Sequence, residues 1–316
     1  MQQFISVSSV GDVDALVADA LQLKQDPYIH KDLGKNKTLG LIFMNPSLRT
    51  RLSTQKAALN LGMNVMVMNI DKEGWALEME DGAVMNGTTV EHIKDAAAVM
   101  GQYCDIIGIR CFPGLKSREE DYGEFILKKF IQYSNVPIVS LESGTLHPLQ
   151  SLADLITIKE HSKKEKPKVV LTWAPHVKAL PQAVPNSFSQ WMSKADVEFV
   201  ITHPKGYELC DDFTNGAKLE HNQEVALEKA NFVYIKNWSS YNEYGKVLSN
   251  DESWLLNKER MKITSNGKIM HCLPVRRNVE VLDELLDSEN SLILKQAANR
   301  EFSAQIVLIK ILEKLT

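Results

Sequence analysis

A strand–turn–helix at residues 39–62 limits the possible fold of this chain more than any other segment. Its apolar run, Leu39–Met44, has the length and composition of a buried strand. An Asn-Pro pair ends that strand, and Ser47 follows as the expected N-cap of the next helix. A second apolar strand, Met63–Ile70, completes a strand–helix–strand unit. Such a unit predicts a parallel sheet with helices packed against it.

Two arginines in the first turn of that helix indicate an anion site. The helix dipole disfavours cations at this end, so Arg49 and Arg51 predict a negatively charged ligand. Free backbone N–H groups, the hydroxyls of Ser47 and Thr50 and the guanidinium groups converge here, which suits a phosphate. In the alternative interpretation, the arginines pair with acidic neighbours at the surface. The sequence contains neither G-x-x-x-x-G-K-[ST] nor G-x-G-x-x-G, so nucleotide binding by those routes is not expected.

The alternation of strands and helices continues along the sequence. Further strands are predicted at Asp105–Ile109, Val136–Leu141, Lys168–Trp173, Val197–Thr202, Phe232–Ile235 and Lys268–Cys272. Helices are predicted at Asp14–Lys24, Val90–Gly101, Phe125–Tyr133, Ser151–His161, Gln182–Lys194, Glu220–Ala230, Val279–Asp287 and Ser303–Leu315. Because 316 residues exceed what one core usually supports, we expect two α/β domains, each a doubly wound parallel sheet. The expected domains are 1–150, with helix 303–316 packing back on it, and 151–302.

The composition argues against several classes of function. A net charge of -4 provides no basic surface for a nucleic acid. No apolar run is long enough to cross a membrane, and no secretory signal is visible at the N-terminus. The four cysteines lack C-x-x-C spacing, which favours reduced thiols in a cytoplasmic protein. The eight histidines show no H-E-x-x-H or related pattern, so no metal site is expected.

Polar residues at predicted strand ends are the candidates for the active site. Ligands of open α/β sheets bind at the carboxyl ends of the strands. Arg110 follows one strand, and His147 lies shortly after the strand that ends at Leu141. Trp75 lies in the long segment Asp71–Thr89, and loops of that length inside a compact domain tend to be functional.

Three motifs occur in an order and spacing that resemble the aspartate/ornithine carbamoyltransferase family. The segment Ser47–Arg51 resembles the carbamoyl-phosphate loop S-T-R-T-R, with Leu48 in place of the first threonine. The segment His147–Gln150 resembles H-P-x-Q, and His271–Pro274 reads H-C-L-P, as in the ornithine branch. The resemblance covers nearly the whole chain.

The resemblance implies a fold, an assembly and a reaction. It implies an N-terminal carbamoyl-phosphate domain and a C-terminal amino-acid domain, in a homotrimer whose active sites are shared between subunits. Arg110 and His147, assisted by Thr50, would polarise the carbamoyl carbonyl, and no metal or organic cofactor would be required. The implied carbamoyl-phosphate site consists of Ser47, Leu48, Arg49, Thr50, Trp75, Arg110, His147, Gln150, Cys272, Leu273 and Arg300.

One departure from the ornithine branch points to an acylated acceptor. That branch recognises the α-ammonium of ornithine with an Asp in D-x-W-x-S-M-G, but this chain has Lys236 at the corresponding position and lacks S-M-G. A lysine repels an ammonium and attracts carboxylates. The sequence therefore resembles the N-acylornithine branch of bacterial arginine biosynthesis, in which the segment 174–185 would form part of a knot. The implied acylornithine site consists of Val90, Glu142, His176, Lys236, Cys272, Leu273 and Arg276.

The acyl group depends on the residue after the Gly87–Thr89 turn. In the resembling branch a glutamate there accompanies N-acetyl-L-ornithine, and an apolar residue accompanies N-succinyl-L-ornithine. Val90 removes the like-charge repulsion that a succinyl carboxylate would meet, which favours N-succinyl-L-ornithine. A register slip that put Glu91 in this role would favour N-acetyl-L-ornithine instead. A non-catalytic, metabolite-binding paralogue is the third hypothesis, although Arg49, Arg110 and His147 are all present.

Overall fold

The chain folds into two compact units. A computed structural model describes residues 1–315, and of Asp71 only the backbone, so Thr316, the last residue of the predicted terminal helix, lies outside the described residues. Unit 1 consists of Met1–Gly114, Glu119–Leu149 and the chain from Arg300 onward. Unit 2 consists of Leu115–Arg118 and Gln150–Asn299.

The strands of the described chain are short and parallel where they pair. In chain order they are β1 Thr38–Phe43, β2 Asn64–Asn69, β3 Leu77–Glu78, β4 Glu91–His92, β5 Ile106–Arg110, β6 Ile138–Glu142, β7 Lys168–Trp173, β8 Glu198–Thr202, β9 Lys218–Glu220, β10 Phe232–Lys236 and β11 Lys268–Met270.

Helices of unequal length connect these strands. In chain order they are α1 Val13–Leu23, α2 Arg49–Asn60, α3 Ile70–Glu73, α4 Ile93–Tyr103, α5 Arg118–Tyr122, α6 Phe125–Tyr133, α7 Pro148–His161, α8 Ala183–Met192, α9 Asp211–Thr214, α10 Gln223–Leu227, α11 Lys258–Met261, α12 Asp283–Leu286 and α13 Ile293–Leu315. Val7–Ser9 and Glu252–Trp254 are 3-10 helices.

Unit 1 contains a four-stranded parallel sheet in the order β2-β1-β5-β6. Leu39 and Leu41 of the central strand β1 are fully buried, because this strand has neighbours on both sides. Ile107 and Ile109 of β5 pack with Phe130 of α6 in one apolar cluster. Parallel pairing places the ends of β1, β5 and β6, with Arg110 and Glu142 among their last residues, at one edge of the sheet.

Unit 2 contains a five-stranded parallel sheet in the order β11-β10-β7-β8-β9. Strands β7 and β10 lie in its interior and are almost wholly buried, and Val170, Val233 and Ile235 contribute to one core cluster. Lys236 ends β10 and faces Trp173, the last residue of β7, across the ladder. The unit 2 candidates therefore also gather at the carboxyl edge of a sheet.

The α/β class with parallel sheets in two domains is confirmed, as are the predicted strands of both sheets. The N-cap prediction is wrong: the carbonyl of Leu48, not that of Ser47, accepts the first intrahelical bond, from the N–H of Leu52, so α2 begins at Arg49. The segment Asp71–Thr89, predicted as a loop, includes most of α3 and the strand β3.

Other helix boundaries also differ from the prediction; the helix predicted at Val279–Asp287, for example, covers only Asp283–Leu286. Glu220, predicted as the first residue of a helix, is the last residue of the short strand β9, and α10 is only five residues long. The terminal helix α13 begins at Ile293 rather than Ser303. Glu220 joins a strand because the backbone of β9 pairs with β8, a contact that the local sequence does not reveal.

Candidate active site

The N-terminus of α2 has no side-chain cap. Its first-turn N–H groups therefore remain available to an acceptor from outside the helix. Thr50 is buried, and its hydroxyl accepts a hydrogen bond of 2.5 Å from the guanidinium of Arg300, which is itself only 6% exposed. Arg49 is half-buried beside it. The loop and α13 thus place two guanidinium groups and a hydroxyl near one helix N-terminus.

Arg51 points away from this group. One of its terminal nitrogens donates to the Asn69 side chain at 3.2 Å, and its guanidinium lies 5.7 Å from the centre of the Phe43 ring. The helix dipole acts on the two first-turn arginines alike. The structure separates them, because Arg51 has partners on β1 and β2.

A buried ion pair joins the ends of β5 and β6. Two nitrogens of the Arg110 guanidinium approach one oxygen of Glu142, at 3.1 Å from Nε and 2.9 Å from the other nitrogen. A third nitrogen donates to the backbone carbonyls of Asn45 and Pro46, at 3.3 and 3.0 Å. Since these carbonyls follow β1, Arg110 is held in place between two strand ends.

His147 completes this cluster as a neutral imidazole. Its Nε2 lies 3.8 Å from the Glu142 carboxylate, and the side chain is almost fully buried. Burial, followed by the positive charges of Arg300, Arg110 and Arg49, holds the pKa of His147 well below its usual value of 6.5. The surrounding charge therefore suits a dianion, while the imidazole stays uncharged near pH 7.

The turn before His147 is fixed by Glu124. Its carboxylate accepts hydrogen bonds from the Ser143 hydroxyl at 2.6 Å, from the Thr145 N–H at 2.8 Å and from the Gly144 N–H at 3.2 Å. It also accepts one from the Thr145 hydroxyl. A Cβ at Gly144 would lie 2.2 Å from the Asp121 carbonyl oxygen, so the turn requires glycine. The sequence did not reveal Glu124, because it precedes a helix far from this motif.

Trp75 and Val90 are both exposed in unit 1. The side chains are 55% and 64% exposed, and the N–H of Val90 donates to the carbonyl of Ala76 at 2.9 Å. The indole N–H of Trp75 donates to the carboxylate of Glu91 at 2.8 Å. The Glu91 carboxylate is therefore tied to the indole, and the side chain of Val90 is exposed.

In unit 2 a buried amide network holds Gln150. Its side-chain nitrogen donates to Asp154 at 2.7 Å, and the Gln296 side chain donates to the same carboxylate oxygen at 2.7 Å. The carbonyl end of Gln296 accepts from the backbone N–H of His271 at 2.9 Å. This network connects the H-P-x-Q and H-C-L-P segments.

Cys272 and Leu273 lie in a sharply constrained turn. Leu273 has φ of 56°, precedes a cis proline and donates its N–H to Nδ1 of His271 at 2.9 Å. Burial raises the pKa of the Cys272 thiol, an effect that the charge of Lys236 only partly opposes. Cys272 is therefore a neutral thiol near pH 7 and not an activated nucleophile.

Glu280 is a buried carboxylate that the sequence did not reveal. It is 1% exposed, and one of its oxygens lies 3.2 Å from Nε2 of His271 and 3.5 Å from the ammonium of Lys236. The same oxygen accepts from the Asn237 N–H at 3.1 Å. Burial acts to raise its pKa, but the charges of Lys236 and His271 and these hydrogen bonds together hold the pKa far below the usual 4.5.

The remaining predicted residues of unit 2 differ in their surroundings. Arg276 is exposed, whereas its neighbour Arg277 forms ion pairs with Asp283 and Asp287 at 2.6 and 2.8 Å. Arg277 is therefore engaged by two carboxylates, whereas Arg276 is exposed. His176 is 8% exposed, with Nδ1 2.9 Å from the carbonyl of Lys178.

Residues 2–160 match the family described as aspartate/ornithine carbamoyltransferase, carbamoyl-P binding domain. Residues 181–311 match the family described as aspartate/ornithine carbamoyltransferase, Asp/Orn binding domain. The chain belongs to the aspartate/ornithine carbamoyltransferase family. Both halves of the chain thus match this family of carbamoyltransferase enzymes, as the three motifs predicted.

Relatives within this carbamoyltransferase family include enzymes named for acylated ornithines. The chain is 52% identical to the N-succinylornithine carbamoyltransferase of Bacteroides thetaiotaomicron over 100% of both chains. It is 33% identical to the N-acetylornithine carbamoyltransferase of Xanthomonas axonopodis pv. citri, over 92% of this chain and 90% of the relative.

Solved structures confirm the carbamoyltransferase fold. N-acetyl-L-ornithine transcarbamylase matches with a TM-score of 0.89 and 31% identity, over 98% of this chain and 100% of that chain. A variant of that enzyme, with one glutamate replaced by valine, was solved with carbamyl phosphate and N-succinyl-L-norvaline, and matches with a TM-score of 0.90 and 32% identity over the same shares. Among the described residues, none of the helices is both long and apolar enough to span a membrane.

Proposed function

We propose that this carbamoyltransferase-family enzyme transfers the carbamoyl group of carbamoyl phosphate to the δ-amine of N-succinyl-L-ornithine. The products are N-succinyl-L-citrulline and phosphate, in the biosynthesis of arginine. The observation that carries this proposal is the cluster at the ends of β5 and β6: the Glu142 carboxylate lies 2.9 Å from the Arg110 guanidinium and 3.8 Å from Nε2 of His147, whose pKa is lowered by burial and by the charges of Arg300, Arg110 and Arg49. Such a site suits a dianionic leaving group next to a polarised carbonyl.

We assign the phosphate of carbamoyl phosphate to the N-terminus of α2. Backbone N–H groups of the first turn, the hydroxyls of Ser47 and Thr50 and the side chain of Arg49 would bind its oxygens. Arg300 donates to the Thr50 hydroxyl, which orients that hydroxyl and adds a second positive charge. Because phosphate leaves as an anion, these groups stabilise the leaving group without a nucleophilic residue.

The reaction forms one bond and breaks another. The neutral δ-amine attacks the carbonyl carbon, its electron pair forms the new C–N bond, and the carbonyl oxygen becomes an oxyanion. The oxyanion then re-forms the carbonyl, and the bond between the carbonyl carbon and the bridging phosphate oxygen breaks. Phosphate carries away the electron pair of that bond, and the amine proton passes to phosphate or solvent. Arg110 and His147 would donate hydrogen bonds to the developing oxyanion, with Thr50 assisting.

The side chain of Gln150 would bind the carbamoyl NH₂ group. Asp154 accepts from the amide nitrogen of Gln150, which fixes the orientation of that amide. Its carbonyl oxygen is then the acceptor that an NH₂ group requires. Cys272 and Leu273 would position the attacking amine, with the thiol acting as a small neutral contact.

The acceptor residues support an acylated ornithine. Lys236 is a buried cation, and the nearby Glu280 carboxylate is engaged as its counter-ion, so the last residue of β10 presents a positive charge where the ornithine branch has an Asp for the α-ammonium. Arg276 is exposed and is the residue we assign to a carboxylate of the acceptor. His176 and Glu142 stay in the proposed acceptor site, although Glu142 already holds Arg110.

Val90 supports the succinyl group over the acetyl group. Its side chain is exposed and carries no charge that would repel a succinyl carboxylate, and Glu91 is bonded to Trp75. In the solved relative, the complex with N-succinyl-L-norvaline was obtained with valine in place of a glutamate. Val90 would lie at the acyl group of the acceptor, and Trp75 would lie at the phosphate pocket.

We further propose that the enzyme is a cytoplasmic homotrimer, whose unit 2 contains a knot. Leu52 and Leu59 of α2 are 60% and 63% exposed, and Met66 of the edge strand β2 is 54% exposed. Such side chains on one surface favour a partner subunit. All four cysteines are free, as in a reducing compartment. The backbone N–H of Ser239 donates to the carbonyl of Leu180, and the Gln182 side chain donates to the carbonyl of Ser239. These hydrogen bonds hold Ser239 against the segment 174–185, which supports the proposed knot.

The test compares acceptors at saturating carbamoyl phosphate. The purified enzyme should form phosphate and a citrulline derivative faster with N-succinyl-L-ornithine than with N-acetyl-L-ornithine or free ornithine. Val90→Glu should reverse the preference between the two acylated substrates, because a carboxylate then faces the succinyl carboxylate. Val84→Glu, at an exposed valine of the preceding segment Asp71–Thr89, serves as the control and should leave the preference unchanged.

Three results would contradict the proposal. Free ornithine as the best acceptor would exclude the acylornithine assignment. An unchanged preference in Val90→Glu would remove Val90 from the acyl site. Carbamoyl-phosphate binding by calorimetry without turnover of any acceptor would favour a non-catalytic, metabolite-binding paralogue. Light scattering of the same samples should give the mass of three chains, and a monomer would exclude the trimer.

A further inference from the structure

Two histidines and a glutamate meet in unit 2, at the ends of two neighbouring strands. His203 follows β8, His221 follows β9, and Glu208 lies in the loop between those strands. One ligand atom from each of the three side chains lies within 4.8 Å of the others. None of these residues belongs to the carbamoyl-phosphate or acylornithine sites proposed above.

Both imidazole rings are held in the orientation that metal ligands usually have. Nδ1 of His203 lies 2.8 Å from the carbonyl of Pro204, and Nδ1 of His221 lies 3.0 Å from the carbonyl of His203. Each Nδ1 therefore carries the proton, since a carbonyl only accepts hydrogen bonds. Each Nε2 then keeps a lone pair, as in metal sites where a backbone carbonyl fixes the histidine tautomer.

The Nε2 atom of His203 is a second, independent sign of a ligand. The residue is 1% exposed, and within residues 1–315 this buried nitrogen has no hydrogen-bond partner. Because buried polar atoms almost always have a bonding partner, we expect this nitrogen to bind a group other than a protein side chain, such as a metal ion.

Glu208 supplies the negative charge. One of its oxygens accepts from the N–H of Gly206 at 3.2 Å, which orients the carboxylate. Two imidazole nitrogens and one carboxylate oxygen form a donor set used for zinc, and a water molecule can complete the tetrahedron. Ligand atoms on one tetrahedral zinc are about 3.3 Å apart, so only small side-chain rotations are needed.

We propose that His203, Glu208 and His221 bind a zinc ion. The site lies beside Trp238, two residues after Lys236. The His203 ring centre is 6.1 Å from that of Trp238, and the Trp238 indole donates to the carbonyl of Tyr207 at 2.7 Å. Zinc would tie the loop after β8 to the end of β9 and would stabilise unit 2 against unfolding.

The experiment uses the full chain, freed of metal by EDTA and dialysis, and titrates it with zinc chloride in a calorimeter. We expect one zinc ion per chain and a rise in the unfolding temperature. His221→Ala removes an exposed ligand at little risk to the fold and should weaken zinc binding at least about 100-fold, because loss of an outer-shell partner alone costs up to about that much. Glu208→Gln should weaken it as well.

His30→Ala is the matched control, since His30 is an exposed histidine of unit 1. Its zinc affinity should equal that of the unchanged chain. Cobalt substitution should also give visible absorption bands that disappear in His221→Ala. The proposal is overturned if the unchanged chain binds no zinc at 100-fold excess, or if His221→Ala binds zinc as tightly as His30→Ala. None of these readouts depends on carbamoyl transfer, so they are independent of the proposed function.

Discussion

Replacing Glu280 by glutamine should destabilise unit 2 strongly. Glutamine keeps the shape of the side chain and can still accept from the Asn237 N–H, but it removes the counter-ion of Lys236. Lys236 is 7% exposed, so solvent cannot replace the lost charge. Breaking a buried ion pair by removing one partner leaves the other charge buried and uncompensated.

The size of the effect follows from the distance and the burial. At 3.5 Å and an effective dielectric constant of 20, the attraction between Lys236 and Glu280 is about 5 kcal/mol. Removal of one partner of a buried pair costs about 3–5 kcal/mol. We therefore expect Glu280→Gln to lower the free energy of unfolding by about 3–5 kcal/mol.

Urea unfolding followed by tryptophan fluorescence measures this effect. Trp173, Trp191 and Trp238 are fully buried and all lie in unit 2, whereas Trp75 of unit 1 is already 55% exposed, so the change in signal on unfolding reports mainly unit 2. Glu259→Gln is the control. Its partner Lys262 is closer, at 2.7 Å, but both side chains are mainly exposed, so the loss should stay below about 1 kcal/mol. A similar, small loss in both variants would refute the reasoning from burial.

The pH dependence provides a second measurement on the same variant. The pKa of Glu280 in the folded chain is far below its usual 4.5, so its contribution to stability is complete above that pH and is lost as the pH falls further. The difference between Glu280→Gln and the unchanged chain should therefore shrink as the pH is lowered below about 4.5.

Two further predictions concern unit 1. His147 has a pKa below 6.5 in the folded chain, so the unfolded chain binds a proton at this ring more readily, and the free energy of unfolding falls as the pH drops below 6.5. His147→Gln should reduce that fall, measured by urea unfolding between about pH 6.5 and 5. An unchanged dependence on pH would show that His147 does not titrate on unfolding. In Arg110→Lys the ammonium group cannot form both contacts that the guanidinium makes with Glu142. The substitution should lower kcat about 100-fold to 1000-fold in the phosphate-release assay. A change in KM alone would mean that Arg110 only binds substrate.

Local sequence was sufficient for the parts of the fold with strong periodicity. The apolar runs of β1, β5, β7 and β10 predict buried strands because they are long and uninterrupted. Short polar elements were missed or misplaced: β9 pairs at a sheet edge through its backbone, and Leu48 displaced Ser47 as the cap. In these places a contact with a distant strand or the position of the turn decides the conformation.

The sequence by itself determined the family and the α/β class and predicted an anion-binding segment, because three motifs and the strand pattern lie in continuous stretches of chain. Only the tertiary structure decided which first-turn arginine accompanies Thr50 and His147, since Arg51 is drawn to Asn69. It also revealed Glu280, Glu124 and the meeting of His203, Glu208 and His221. Their side chains acquire a common role through folding, because electrostatic pairing and metal coordination depend on distances in space, not on spacing along the chain.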